Sequence, residues 1–247
     1  MIAEMNSFVE KFEKFPGCYT VIGGMACDIL MGSEGLQFRP TQDVDMILII
    51  EDPQRDEFAQ AFWEFIKEGR YTCGWRNNPD IHFYRFTDPL DGYPAQIELF
   101  SRLPDYEIKI PEGIIPVHLG DDVSSLSAIL LDDDYYNFML EGRRTIGGIT
   151  VLDAEHLIPF KMYAWLELSE KKKNGEHVNE RDLRKHRLDV FRLLTIVSGE
   201  ARVECSDRIR AGPWQSRGRR CSCSAFRVMW KWKGTATSCS RRGPAGR

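Results

Sequence analysis

The sequence has no apolar run long enough to span a bilayer, so it offers no transmembrane helix. Its start, Met1-Ile2-Ala3-Glu4-Met5-Asn6, has neither the basic region nor the apolar core of a secretory signal. No two of its seven cysteines stand at C-x-x-C spacing, which argues against a zinc site. Cys18, Cys27 and Cys73 are scattered, and Cys205, Cys221, Cys223 and Cys239 lie near the end; free thiols in a reducing compartment are expected. These absences predict a cytoplasmic protein without a membrane partner. There is no internal repeat.

Acidic residues are also absent from one part of the chain. From Ala211 onward there are nine Lys and Arg and no Asp or Glu, so the net −4 of the 247 residues divides into −13 for residues 1–210 and +9 for the tail. An acidic body does not favour broad attraction to nucleic-acid backbones. With 43% apolar and 28% charged residues, the composition is that of an ordinary globular chain, sized for one large domain or two small ones.

The chain is organised around Gly23 to Asp45. Tyr19-Thr20-Val21-Ile22 is a β-rich run ending at Gly23-Gly24, and Met25-Ala26-Cys27-Asp28-Ile29-Leu30 continues as a helix to about Met31. Arg39-Pro40-Thr41-Gln42-Asp43-Val44-Asp45 then leads into a strand predicted over Val44–Ile50. Side chains alternate along a strand, so Asp43 and Asp45 share one face, roughly 6–7 Å apart at Cα, and Val44 points into the core. Two such carboxylates repel unless a cation joins them. Mg²⁺ binds well to one or two carboxylates together with substrate phosphates. A Gly-Gly turn at a helix N-terminus lets backbone N–H groups approach a phosphate. An ordinary turn followed by two solvated aspartates is the simpler alternative.

In this order, a Gly-Gly, a helix and an acidic-hydrophobic-acidic strand resemble the nucleotidyltransferase superfamily with the polymerase-β-like fold. The Arg39-x-Thr41-x-Asp43-x-Asp45 form and the long Gly-to-Asp spacing look most like its AbiEii/AbiGii toxin-like branch. The resemblance covers about residues 15–200. It implies an α/β (α+β) fold: a small mixed β-sheet core with flanking helices, then a helical C-terminal region. It also implies Mg²⁺ or Mn²⁺ at Asp43, Asp45 and a third carboxylate on a neighbouring strand, for which Glu98 is the candidate. Glu98 lies opposite Ile97 and Leu99 in an alternating run; it could equally be a solvent-facing strand residue. Asp80 and Asp91 are weaker rivals in turn-like contexts. Gly23, Gly24, Arg39, Thr41 and Lys161 would hold the nucleotide. Arg39 could instead bridge to Asp43, and Lys161 could be a snorkelling lysine.

Family members commonly carry Lys-Asp before the last Asp of the final helix, where this chain has Lys185-His186, a departure that weakens any catalytic carry-over to residue 186. His186 reads more simply as a core histidine than as a base. Lys185 and Asp189 read as an i,i+4 pair supporting the helix.

The remaining elements follow from periodicity. Met5, Phe8, Val9, Phe12 and Phe15 predict an amphipathic helix ended by Pro16-Gly17. Gln54–Glu68 is a helix burying Phe58, Ala61, Phe62, Phe65 and Ile66. His82–Phe86 and Ala95–Phe100 form a hairpin around Asp88–Gly92. Residues 106–119 look extended, and Ser124–Leu131 is ambiguous between strand and helix. Asp132-Asp133-Asp134 caps a helix through Leu140 better than it binds a metal. Gly147-Gly148 is a turn before a strand at Ile149–Leu152. Asp153 is the N-cap of a long helix that Pro159 starts or kinks and Lys171–Gly175 ends. A last helix covers Asn179 to about Val197.

Three segments result: 1–150 the nucleotidyltransferase core, 151–200 the C-terminal helices, and 201–247 a Cys/Arg/Ser-rich tail, disordered or frame-shifted. The competing view of the tail is a basic aromatic arm, Val228–Lys233, for a nucleic acid. The expected activity is metal-dependent transfer of a nucleoside monophosphate from an NTP to an acceptor hydroxyl on RNA, protein or a small molecule. The resemblance implies a toxin-like role with a cognate antitoxin as partner. The rivals are a non-catalytic nucleotide- or partner-binding protein on the same fold, and a small-molecule (antibiotic-type) nucleotidyltransferase.

Overall fold

The computed structural model describes residues 4–49, 51–78, 81–101, 117–118 and 133–211. The expectations for Asp80, Asp132, Ser124–Leu131, most of 106–119 and the tail beyond residue 211 lie outside these residues. The described chain is a mixed α/β structure. In order it runs α1 (Glu4–Phe12), β1 (Tyr19–Ile22), α2 (Gly23–Ser33), β2 (Asp43–Leu48), α3 (Arg55–Glu68), β3 (Thr72–Asn78), β4 (Ile81–Thr87), β5 (Gln96–Ser101) and β6 (Val117–His118). It continues with α4 (Asp133–Glu141), β7 (Arg143–Ile146), β8 (Ile149–Leu152), α5 (Ala154–Lys173), α6 (Glu180–Leu194) and α7 (Asp207–Ala211).

The strands make one eight-stranded sheet in the order β6-β3-β4-β5-β2-β1-β8-β7. β2 pairs with β5, β1 with β8, and β3 with β6 in parallel; the other neighbours are antiparallel. The sheet is wider than the small one expected. β3 and β7 were not anticipated, and β6 is a two-residue edge strand within the stretch expected to be extended. β7 and β8 form a hairpin over Gly147-Gly148, both at positive φ (56° and 83°), a turn that glycine makes at no steric cost.

One sheet face is covered by α1 and α3. Tyr19 of β1 packs among Phe8, Phe12 and Phe58, and Phe86 of β4 packs on Phe62 and Trp63. The nearest of these rings, Phe8 and Phe12, are 4.6 Å apart at their centroids. Such pairs add about 0.5–1.5 kcal/mol each to the area they bury. Val44, Met46, Ile97 and Leu99 are fully buried along β2 and β5. The residues between them, Asp43, Asp45, Gln96 and Glu98, therefore point to the opposite face.

That second face is completed by α2, α5 and α6, which pack on one another. Both long helices are capped by side chains. Asp153 accepts from the backbone N–H of His156 at 2.9 Å, and Asn179 from that of Arg181 at 3.0 Å. Pro159 sits inside a single continuous α5, and Gly175 follows its end at φ +81°. The Arg143 guanidinium of β7 donates to the carbonyls of Pro16, Gly17 and Tyr19 and to the Thr20 hydroxyl, at 2.7–3.2 Å. It clamps the loop before β1 to the far edge of the sheet. Beyond residue 200, Val203 and Cys205 lie against the core and Ile209 of α7 is buried in it. Cys18, Cys27 and Cys73 are buried, and Cys205 is partly exposed. Among the described residues no helix is long and apolar enough to cross a membrane.

Candidate active site

The site is built where β1 runs without a loop into α2. Gly23 already belongs to the helix and has φ +69°, in the left-handed region. A Cβ there would overlap the Asp45 carboxylate, so the missing side chain brings backbone and acid together. A Cβ on Gly24 would stand 3.0 Å from both Arg39 Nη2 and Thr41 Oγ1. The preceding residue, Ile22, provides no side-chain cap, so the first N–H groups of α2 are not satisfied from that position. The structure thus brings Gly23, Gly24, Arg39, Thr41 and Asp45 together at one strand-to-helix junction.

The parallel register of β2 and β5 sets Asp45 beside Glu98 and Asp43 beside Gln96. The Asp45 and Glu98 carboxyls lie within hydrogen-bonding reach of each other in this register. Burial raises Asp45, against the opposing charges of Lys161 and Lys185. Burial, with the Asp45 charge next, pushes Glu98 up to about 7, although Arg85 opposes this. Arg85 Nε donates to Glu98 Oε1 at 2.8 Å, and Gln96 Nε2 to the same oxygen at 3.2 Å. Glu98 is 7% exposed, not the solvent-facing residue of the simpler alternative. Asp43 is exposed on the same strand face. Asp91 is exposed in the turn before β5.

Opposite the acids is a cationic cluster carried by α5, α6 and the chain before β2. Lys161 is only 4% exposed and does not snorkel; its Nζ donates to Asp189 Oδ2 at 3.1 Å. Arg39 Nη2 donates to the same oxygen at 3.1 Å, and its Nε to Oδ1 at 3.4 Å. Arg39 therefore pairs with Asp189 rather than with Asp43. Arg192 Nη1 is 3.5 Å from Asp189 Oδ1. Burial alone would raise Asp189, but Lys161 and Arg39 outweigh it and hold the carboxyl below its usual range. Asp189 is thus the buried centre of three cations, and the i,i+4 support from Lys185 expected for it is replaced by these contacts. Lys185 acts on Asp45, Cys27 and His186 through its charge.

Sequence reasoning missed the roles of Arg85, Gln96, Asp189 and Arg192. Arg85 carried a usable signal, because it alternates with buried Tyr84 and Phe86 and so faces the same side as Glu98 once β4 and β5 pair. Asp189 carried none, since its partners Arg39 and Lys161 are remote in the chain.

Among the described residues, no three His, Cys, Asp or Glu side chains form a group that could enclose a metal ion. Two adjacent carboxylates nevertheless fit a hard divalent cation that completes its shell with phosphate oxygens, because the cation offsets their mutual repulsion.

No family model and no curated protein matches this sequence. Among solved structures, the chain is similar to a Megavirus polyadenylate synthase, with 10% identity and a TM-score of 0.39 over 78% of this chain and 32% of that one. It is also similar to a cytoplasmic RNA terminal U-transferase, with 14% identity and a TM-score of 0.25 over 40% of this chain and 29% of that one. The chain thus spans about a third of the length of each. At this distance, any functional reading must rest on the site itself.

Proposed function

We propose that the protein is a nucleotidyltransferase that moves a nucleoside monophosphate from an NTP to an acceptor hydroxyl. The observation that carries this is the convergence of an acidic pair, a glycine-walled helix start and a buried cationic cluster on one sheet face. Acids alone would suit many metal sites, and cations alone any anion. Side by side, they suit a metal-chelated polyphosphate, whose charge both halves neutralise.

Asp45 and Glu98, with Asp43 at the rim, would hold Mg²⁺ or Mn²⁺, which supplies charge neutralisation at the phosphates. The start of α2 at Gly23 and Gly24, which Ile22 does not cap, would offer backbone N–H groups to a phosphate. Arg39, Thr41 and Lys161 line the same place. The acceptor oxygen bonds to the α-phosphorus as the α–β bridging P–O bond breaks, and pyrophosphate leaves with that electron pair. The acceptor's proton would pass to a Glu98 carboxylate oxygen that the metal leaves open. Lys161 would neutralise charge that grows on the leaving pyrophosphate. The AbiEii/AbiGii toxin-like branch is the form of the superfamily that the motif spacing favours, with a cognate antitoxin as implied partner.

The test is label transfer from each α-labelled NTP into RNA, protein and small-molecule fractions. Asp45→Asn should lower it at least 10²-fold, an order set by loss of a metal-binding charge, with unfolding temperature preserved. Wild-type turnover in Asp45→Asn and Asp43→Asn alike would overturn the reading. NTP binding without any transfer would favour the non-catalytic alternative.

A further inference from the structure

The face of α6 that buries Val190 and Leu193 continues, one and two turns earlier, through Asp189, His186 and Lys185. The apolar end anchors the helix in the core, and the polar end reaches the site. There, His186 Nδ1 is buried and has no hydrogen-bond partner. A polar atom left unsatisfied in this way is costly unless something else completes it. The groups that act on the ring by charge are Lys161 from α5, Arg39 from the chain before β2, and Lys185 and Asp189 from α6 itself. The Cys27 thiol of α2 and the Asp45 carboxyl of β2 feel several of the same cations. Three of the four charged groups acting on the imidazole are positive, and the one acid, Asp189, is already shared among Arg39, Lys161 and Arg192.

A ring in this position changes state when an anion arrives. A polyphosphate seated against Lys161, Lys185 and Arg39 would offset the cations that, after burial, keep the ring neutral, and it would offer acceptor oxygens to the unsatisfied nitrogen. We propose that His186 is a substrate-linked proton site: neutral without ligand, it takes one proton from solvent when a polyphosphate binds, and the imidazolium becomes a further donor to the phosphates. This rests on the nucleotidyltransferase reading, and it concerns the position where this chain has His instead of the Asp common in the family it resembles. Burial, then Lys161 and Lys185, lower His186 to about 3, which agrees with a neutral ring in the free protein. The protonated form binds ligand better, so affinity is greatest in acid and is lost as pH rises through the value of the bound ring.

The experiment is calorimetric titration of the full chain with inorganic tripolyphosphate, at pH 5.5 and 7, in buffers of different ionisation enthalpy. His186→Asn, which keeps a nitrogen in the place of Nδ1, is run in parallel. Both chains retain the Asp45–Glu98 pair, so the difference between them isolates residue 186. The expected result is close to one more proton taken up by wild type than by His186→Asn at pH 5.5. Tripolyphosphate affinity should fall at least 3-fold in the variant at pH 5.5, and less at higher pH. Ring ¹⁵N resonances, assigned to His186 by their absence in the variant, should move from neutral to charged values on saturation. Binding with equal proton uptake in both chains and an unmoved ring resonance would overturn the proposal and leave the nucleotidyltransferase reading standing. Absence of both tripolyphosphate and Mg²⁺–NTP binding would overturn the two together.

Discussion

Asp189 offers the sharpest stability test, because three cations depend on one buried carboxylate. Asp189→Asn keeps the shape and one acceptor oxygen but removes the charge. Lys161, 4% exposed, then faces Arg39 without the anion it is bonded to and with almost no water. Breaking a buried ion pair by removing one partner costs about 3–5 kcal/mol. Arg39 and Arg192 keep some solvent, which favours the lower part of that range. For a chain of this length, each kcal/mol moves Tm by about 2–4 °C, so a fall of about 6–15 °C is expected. The sign with pH also follows. Asp189 is held below its usual range, so its contribution is present above the unfolded carboxylate range and is lost as pH falls through the folded value. The wild type should therefore lose its advantage over Asp189→Asn in strong acid. Scanning calorimetry at pH 7 and in acid measures both effects. Glu180→Gln, an exposed change at the start of the same helix, is the control and should stay within about 0.5 kcal/mol. Adding Lys161→Met to Asp189→Leu should recover much of the loss, because an apolar pair needs no counter-charge. A fall of less than about 2 °C for Asp189→Asn would refute the reasoning, since it would mean the cations are held by solvent and not by this acid.

Other outcomes follow from the same geometry. Gly23→Ala should cost about 1–2 kcal/mol for the left-handed backbone and should also push the Asp45 carboxylate aside, so transfer should fall further than Tm suggests. Glu98 is raised from 4.5 to about 7, so the folded state holds an extra proton between those values; metal-free stability should decline as pH rises through that window, and Glu98→Gln should flatten the decline. Mg²⁺ should accordingly raise Tm more at pH 8 than at pH 5, and less in Glu98→Gln, in a thermal melt. Phe12→Ala, at the centre of the aromatic cluster, should cost about 3–5 kcal/mol in denaturant unfolding. A chain ending at Gly212 keeps Ile209 and should match the full chain in Tm and in NTP binding; a selective loss on an RNA acceptor would instead favour the basic-arm view of the tail.

The local half of the site was legible because its residues lie within one strand–helix–strand passage. Two glycines before a helix and an alternating Asp-Val-Asp fix which groups meet, whatever the rest of the fold does. Helix ends were readable for the same reason: Asp153 and Asn179 act on backbone within a few residues of themselves. β3 was hidden because Thr-Cys-Gly-Trp-Arg-Asn-Asn lacks alternation and holds a Gly and two Asn, so its strand state comes from pairing with β4. β7 was hidden by its two arginines, one of which serves as the clamp on the loop before β1. Asp189 misled because its local neighbour, Lys185, offered a satisfactory helical pairing, while its actual partners come from elsewhere in the chain.

The two halves of the site also enter the world at different times. Gly23, Asp45 and Glu98 emerge early in synthesis, whereas Lys161, Lys185, His186 and Asp189 emerge much later. At about 5–20 residues per second, the ribosome takes on the order of 10 s to bridge that gap. The strand β1 that carries the glycines must likewise wait for β8, its parallel neighbour, before the sheet closes. A nascent or truncated product therefore carries the acids of the proposed site without its full set of cations until the last long helix is in place.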